Sequence, residues 1–367
     1  MGGRGRSDEN LLTRYYSSLF TITNPTEFAS VLNGIKRRVS AEMNDELLKP
    51  FMEKEVKHAL KQMDANTASG LDGLPPLFYK QFWGKIGKKV SKAILAILNS
   101  STIPINLNHT FITLIPKIQS PRRVSDFRPI GLSIVLYKLI AKVLVNCLKP
   151  FLPKLISKTH SAFLSERLIT DNVLIAHETL HYLKEKRIGK MGYMVLKLDT
   201  RKAYDRVKWV YLEMIMKRMG FSQRWINLIA ACTRSVTYSV MLNGQPHGLI
   251  TLTRGLRQGD SLSPYLSLLV TEGLHALFEQ AEGIGDIKGV SLCPAGPKVS
   301  HLLFADDVLV FCRAIVSECV KIQSLLYQYE QASGQSINRG KTNIFFKSNT
   351  LSWTKAAIST FLGVPAT

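Results

Sequence analysis

The sequence predicts an α+β fold, an antiparallel sheet covered on one face by helices, and three observations predict it. The first hundred residues space their apolar side chains with helical period. From "TFITLIPK" onward, short β-prone runs alternate with helical ones. Two stretches read as hairpins, one turning at Asn243-Gly244 and the other at a pair of aspartates. Hairpins set neighbouring strands antiparallel, and the helices between them supply apolar cover.

In chain order, helices are expected over "DENLLTRYYSSLF", over "NDELLKPFMEKEVKHALKQM" with Asn44 or Asp45 as N-cap, and over "KKVSKAILAIL". Between the last two, "DANTASGLDGLPP" is a Gly/Pro-rich loop. Residues 1–99 therefore form a helical N-terminal extension, and 100–364 a mixed domain. Helices recur at 134–149 and at 171–187, the second capped by Thr170 or Asp171. A strand "YMVLKLD" and a helix over 207–219 follow, then the hairpin "SVTYSVMLNGQPHGLITLTRG" and a helix from near Pro264. The strands "HLLF" and "VLVF" flank Asp306 and Asp307, a helix over 316–332 stops at Gly334, and "TNIFF" is the last strand.

At 367 residues the chain suits one large or two ordinary domains. Its longest apolar runs, such as "IVLYKLIAKVLV", are broken well short of the roughly 20 residues a membrane span needs. No apolar stretch follows the basic start "MGGRGRSDEN", so an intracellular protein, nuclear or cytoplasmic and not secreted, is expected. The five cysteines form no CxxC pair and are expected reduced. With 48 Lys+Arg against 27 Asp+Glu, the net charge of +21 calls for a polyanionic partner, nucleic acid ahead of an anionic membrane surface.

Against that positive background, Asp306 and Asp307 stand side by side in an apolar run, and Asp199 closes another apolar strand. Taken alone, an Asp-Asp pair is usually a solvated turn. Here strands flank it closely, and like charges held together need a cation to neutralise them. Two divalent ions about 3.5 to 4 Å apart are a standard device for phosphoryl transfer. Mg²⁺ is the expected ion, with Mn²⁺ as an alternative.

The ordered motifs "KLDTRKAYDRVKW", "GLRQGDSLSPYL", "FADD" and "INRGKT" resemble the reverse transcriptases of non-LTR (LINE-type) retrotransposons, especially plant ones, over roughly residues 66–364. The resemblance implies a right-hand polymerase fingers-palm fold, truncated at 365–367 with the thumb absent. It implies an RNA-directed DNA polymerase that uses two Mg²⁺ ions, an RNA template, a DNA primer and dNTPs. Asp199, Asp306 and Asp307 match the metal-binding acids. Tyr204 matches the aromatic beneath the incoming sugar, where it fills the space of a 2′-hydroxyl. Gln258 and Gly259 match the stretch beside the nascent base pair, and Lys117 and Arg128 the triphosphate grip. Lys341 matches a lysine near the leaving pyrophosphate, a general acid by role, although a solvated lysine explains it equally well. "FLGVP" resembles the primer-grip strand pair.

Some features point elsewhere. "HETLH" fits the zinc-peptidase pattern through His177 and His181, but no third ligand follows at the required spacing. "GQSINRGKT" is one residue too long for a phosphate-binding loop. Arg257 is accounted for as basic surface. His160 and Glu166 depart from the Gln and Gly of the family, and a side chain at 166 would strain a left-handed backbone. The alternative function is a non-catalytic nucleic-acid-binding remnant of such an element, with zinc peptidase a weak third. Oligomeric state is not legible.

Overall fold

Among the described residues the N-terminal region folds as six helices: α1 (Gly2–Phe20), α2 (Ala29–Leu32), α3 (Ala41–Leu47), α4 (Glu53–Gln62), α5 (Pro76–Gln81) and α6 (Trp83–Ser100). The segment expected as one helix at 44–63 is two. Pro50 lacks an N–H and disfavours helical backbone at Lys49, so the chain leaves α3 and re-enters helix only at Glu53. The cap lies upstream of the expected one. Ser40 has extended backbone and accepts the Met43 N–H at 3.3 Å, whereas Asn44 sits inside α3 and donates to the Gly220 carbonyl at 2.8 Å. Ser40→Ala should cost about 1 kcal/mol, read as a lower urea midpoint.

The computed structural model describes residues 2–22, 28–185, 191–293 and 296–364. After α6 come β1 (His109–Pro116), β2 (Phe127–Leu132), α7 (Val135–Leu148), α8 (Leu152–Leu155), α9 (Ile169–Glu185), β3 (Tyr193–Arg201), α10 (Trp209–Met219), α11 (Gln223–Arg234), β4 (Thr237–Leu242) and β5 (Gln245–Thr251). Then follow α12 (Ser263–Gly283), β6 (Val290–Ser291), β7 (Lys298–Val299), β8 (His301–Phe304), β9 (Asp307–Arg313), α13 (Val316–Ser333), β10 (Ser336–Ile337), β11 (Asn343–Phe346) and α14 (Ser352–Leu362). The α+β class is the expected one. Residues 365–367, read as a truncated end, and the expected helix end at 187 lie outside the described residues. "FLGVP" does not begin a strand: α14 runs through Leu362 and stops at Gly363, whose φ of +64° suits a glycine cap.

The chain divides into two compact units. The first gathers α1, Val39–Phe151 and Tyr204–Leu266. Its sheet has the order β2-β1-β4-β5, antiparallel except for the parallel β1/β4 pair. Tyr16 and Phe20 of α1 cover it, packing with Ile112, Tyr238, Val240 and Ile250. The hairpin turn reads as expected: Asn243 and Gly244 have φ of +50° and +79°, the pair of left-handed residues that a type I′ turn demands.

The second unit holds α2, Leu152–Ala203 and the chain from Ser267 on. Its sheet is antiparallel throughout, with β9 on one side of β3, β10 and β11 on the other, and β8 beyond β9. On one face Val195, Leu302 and Phe311 pack with Ala176 and Leu183 of α9. On the other, Leu196 and Leu198 line a cavity together with Ile322 and Leu326 of α13. Strand alternation puts Lys197 and Asp199 on the α9 face, past the reach of that core.

A buried polar cluster fixes β8. Asn172 donates to the carbonyls of Thr159 and Leu303, each at 2.9 Å, and the Leu303 N–H donates to Thr159 at 2.9 Å. Ser300 Oγ donates to Glu282 at 2.6 Å and stands 3.0 Å from His301 Nδ1, whose Nε2 meets His275 Nδ1 at 2.8 Å. Burial first, and neighbouring cationic or histidine groups second, push His160 and His301 down to about 3. Unfolded histidine takes up a proton near pH 6.5 while these stay neutral. Their contribution is therefore complete above about pH 6.5 and is lost as the pH falls toward 3, at up to about 1.4 kcal/mol per pH unit each. Urea midpoints should fall between pH 7 and 5, and fall less steeply in His301→Gln.

Candidate active site

Asp199 near the end of β3 and Asp307 at the start of β9 are direct cross-strand partners. Side chains at opposed positions leave the sheet on the same face, with Cβ atoms about 4.5 to 5.5 Å apart, and like charges so placed destabilise the pair. Phe304 pairs with Asp307, which leaves only Ala305 and Asp306 to turn the chain. Ala305 takes φ +53°, where a side chain is strained and glycine is usual. The turn is held down by the Thr200 N–H, which donates to the Asp306 carbonyl at 3.2 Å. Asp306 is exposed at its tip, and Asp199 and Asp307 are half-buried.

Compensation from the protein is partial. Lys197 Nζ stands 3.7 Å from Asp307 Oδ1, both side chains being about half exposed at 53% and 44%, so water screens the pair. Among the described residues, no three His, Cys, Asp or Glu side chains converge into a ready-made metal group. The donor set is all carboxylate oxygen, which suits a hard divalent cation of the Mg²⁺ type. Such an ion is usually bound through one or two carboxylates, with water and substrate phosphates filling its other positions, so a closed protein cage is not required. The residues present fit such an ion.

Two residues beside the acids went unread in the sequence. Asn338, directly after β10, donates through Nδ2 to Asp199 Oδ2 at 3.0 Å and through its N–H to the Asp199 carbonyl at 2.8 Å. It thereby fixes one oxygen of the carboxylate. The short 3₁₀ turn Arg339–Lys341 follows, and the Lys341 N–H donates to the Asn338 carbonyl at 3.0 Å, which ties exposed Lys341 to the segment anchored on Asp199. Lys197 is the other unread residue. Its only sequence signal is the two-residue spacing to Asp199, which shares a strand face.

The remaining expected site residues belong to the first unit. The Lys117 N–H extends the β1/β2 ladder to the Asp126 carbonyl at 2.8 Å, and its Nζ donates to the Ser125 carbonyl at 2.9 Å. Arg128 is exposed and opposes Ile115, so strand alternation sets it on the same face as Lys117. Gln258 donates to buried Asp205 at 2.9 Å, and the Tyr204 carbonyl accepts the Leu256 N–H at 2.8 Å, which brings half-buried Tyr204 to the base of the Gln258-Gly259 turn. Gly259 is glycine for two reasons of its own: φ is +98°, and a Cβ would meet the Gly131 carbonyl at 3.0 Å.

Arg257 is not basic surface. It is 5% exposed, its guanidinium lies 4.3 Å from the centre of the Tyr137 ring, and it donates to Asn108. Tyr137 in turn donates to Asp260 at 2.8 Å, and Asp260 accepts the Leu262 N–H at 3.0 Å. Burial works against the Arg257 charge, but Tyr137, Asp260 and Tyr238 outweigh it and raise its pKa further. The strain expected at Glu166 does not arise, because the left-handed residue of that loop is Phe163, at φ +59°.

His177 and His181 stack on α9 with ring centres 6.3 Å apart. Among the described residues no third ligand joins them. No helix among the described residues is long and apolar enough to cross a membrane.

Comparisons with known proteins bear on this geometry. The chain is 28% identical over 331 residues to the transposon TX1 uncharacterized 149 kDa protein of Xenopus laevis, covering 90% of this chain and 24% of that protein. It is 51% identical over 67 residues to an uncharacterized mitochondrial protein of Arabidopsis thaliana, or 18% of this chain and 55% of that one. It is also 28% identical over 199 residues, 54% of this chain and 26% of the other, to a retrovirus-related Pol polyprotein from type-1 retrotransposable element R2 of Popillia japonica. This chain thus spans about a quarter of the length of the two transposon proteins. Residues 115–365, which include every acid of the β3/β9 site, match the model of the reverse transcriptase (RNA-dependent DNA polymerase) family, and since that is more than half of its length the chain belongs to this family.

Proposed function

We propose that this chain is the polymerase part of a LINE-type retrotransposon reverse transcriptase, extending a DNA primer with dNTPs on an RNA template in the nucleus or cytoplasm. The observation that carries this reading is the opposition of Asp199 and Asp307 at the sheet rim, with Asp306 in the strained turn between strands.

Reverse transcriptases use divalent metal ions. In this chain Asp199, Asp306 and Asp307 would hold them, as two Mg²⁺ with Mn²⁺ able to substitute. A bound divalent ion supplies Lewis-acid neutralisation of the charge that develops on the phosphoryl oxygens. Asn338 keeps the Asp199 carboxylate in one orientation through its bond to Oδ2. Lys341 gives a proton to the departing pyrophosphate oxygen. Lys117 and Arg128 hold the triphosphate, Arg128 by the planar fork of its donors. Tyr204 occupies the room a 2′-hydroxyl would need, which favours deoxynucleotides. Gln258 and Gly259 line the nascent base pair, where the missing side chain admits a close backbone.

The test is extension of a DNA primer on an RNA template by the purified chain with Mg²⁺ and dNTPs, beside Asp199→Asn. Extension by the wild type alone supports the reading. A folded wild type that binds RNA but extends nothing supports the non-catalytic remnant instead.

A further inference from the structure

Helix α6 packs inward through Gly87, Ser91, Ile94 and Leu98. Its opposite side carries Lys85, Lys88, Lys89 and Lys92, all exposed, within an arc of about 100° at the helical repeat. The helix has no acidic residue. Every lysine of the stripe is three or four positions from two others, so the stripe repels itself, and it sits toward the N-terminal half, where the helix dipole disfavours cations. The neighbouring α4 is different, because Glu53 and Glu55 are interleaved with its lysines. Lys80, just before α6, is already engaged with the Met63 carbonyl at 2.5 Å.

Phe82 borders the same arc ahead of the first turn. It is 43% exposed and backed by the Phe78 ring at 5.1 Å. A row of cations beside a presented aromatic face is how proteins hold single-stranded nucleic acid, cations following phosphates and the ring stacking on a base. From Lys85 to Lys92 the helix rises about 10 Å, the span of about three phosphates along one strand.

We propose that the α6 lysine stripe and Phe82 form a docking surface for single-stranded nucleic acid. This surface lies ahead of residues 115–365, which match the family model, and it does not depend on polymerase activity.

The test measures binding of the full chain to a homopolymeric single-stranded RNA oligonucleotide over a range of salt. The variant combining Lys85→Gln, Lys88→Gln, Lys89→Gln and Lys92→Gln should flatten the slope of log K against log salt by about 2, at about 0.7 for each of about three phosphates. Phe82→Ala should weaken binding about tenfold with the slope unchanged. The substituted side chains are exposed, and circular dichroism with a urea midpoint checks that each variant is folded. An unchanged slope in the fourfold variant overturns the proposal. An unchanged affinity in Phe82→Ala overturns the single-strand assignment. If the fourfold variant instead loses binding to phosphatidylserine vesicles while keeping its RNA slope, the partner is a membrane and the proposal fails. Asp306→Ala should keep the full salt slope whether or not it extends primers, so this proposal and the polymerase reading fail separately.

Discussion

Asp306→Ala should lower primer extension by about 10³-fold or more while leaving stability, read by urea unfolding, within about 0.5 kcal/mol of wild type. The two halves of that result have different origins. Asp306 is exposed at the tip of a two-residue turn, and the atom that holds the turn is its carbonyl, accepting the Thr200 N–H, which alanine retains. Removing its carboxylate also relieves repulsion with Asp307. The fold therefore has little to lose. Phosphoryl transfer, by contrast, depends on charge neutralisation placed where charge develops, and on the proposed assignment the variant takes away one oxygen ligand for the ion that would supply it. Asp199→Asn should behave alike, since an amide oxygen can still accept from Asn338 but carries no charge. Extension within tenfold of wild type in either variant would remove these acids from the chemistry.

Arg257→Met should have the second large effect, and the reverse one: stability should fall by about 3 kcal/mol or more. Methionine refills part of the volume but removes the nearby cationic charge from Asp260, a 9% exposed carboxylate that accepts from Tyr137 and the Leu262 N–H. The arginine's contact with the Tyr137 ring and its bond to Asn108 go with it. If the uncompensated charge is the main cost, Arg257→Met combined with Asp260→Asn should recover a good part of the loss, because asparagine keeps an acceptor without the charge. A double-mutant cycle on urea midpoints measures this. Strictly additive losses would mean that packing, and not charge, dominates.

These two residues also show how far local sequence reaches. Asp306 and Asp307 announced themselves because a charged pair inside an apolar, β-prone run breaks a pattern within ten residues. Arg257 broke no pattern. It stands among Gly, Gln and Asp in a loop, and what buries it is Tyr137 and Asn108, more than a hundred residues earlier in the chain. Asn338 lies within the motif "INRGKT", but its task depends on the β10/β3 register, which pairs Ile337 with Thr200 and so sets Asn338 beside Asp199. The break at Pro50, in contrast, was present in the sequence, since proline after lysine rules out an unbroken helix there.

The sequence by itself determined what depends on near neighbours. That includes most of the helices and strands through their periodicity, the Asn243-Gly244 turn through its two left-handed residues, the helix stop at Gly334, and the three acids near the end of β3 and at the β8/β9 turn. Tertiary structure alone decided what depends on which distant segments meet: the direct opposition of Asp199 and Asp307, the hold of Asn338, the buried Arg257 network and the neutral histidines behind β8. The physical reason is that periodicity and turn chemistry act through bonds a few residues apart. Burial and charge compensation act through space, and are set only when the sheet register closes.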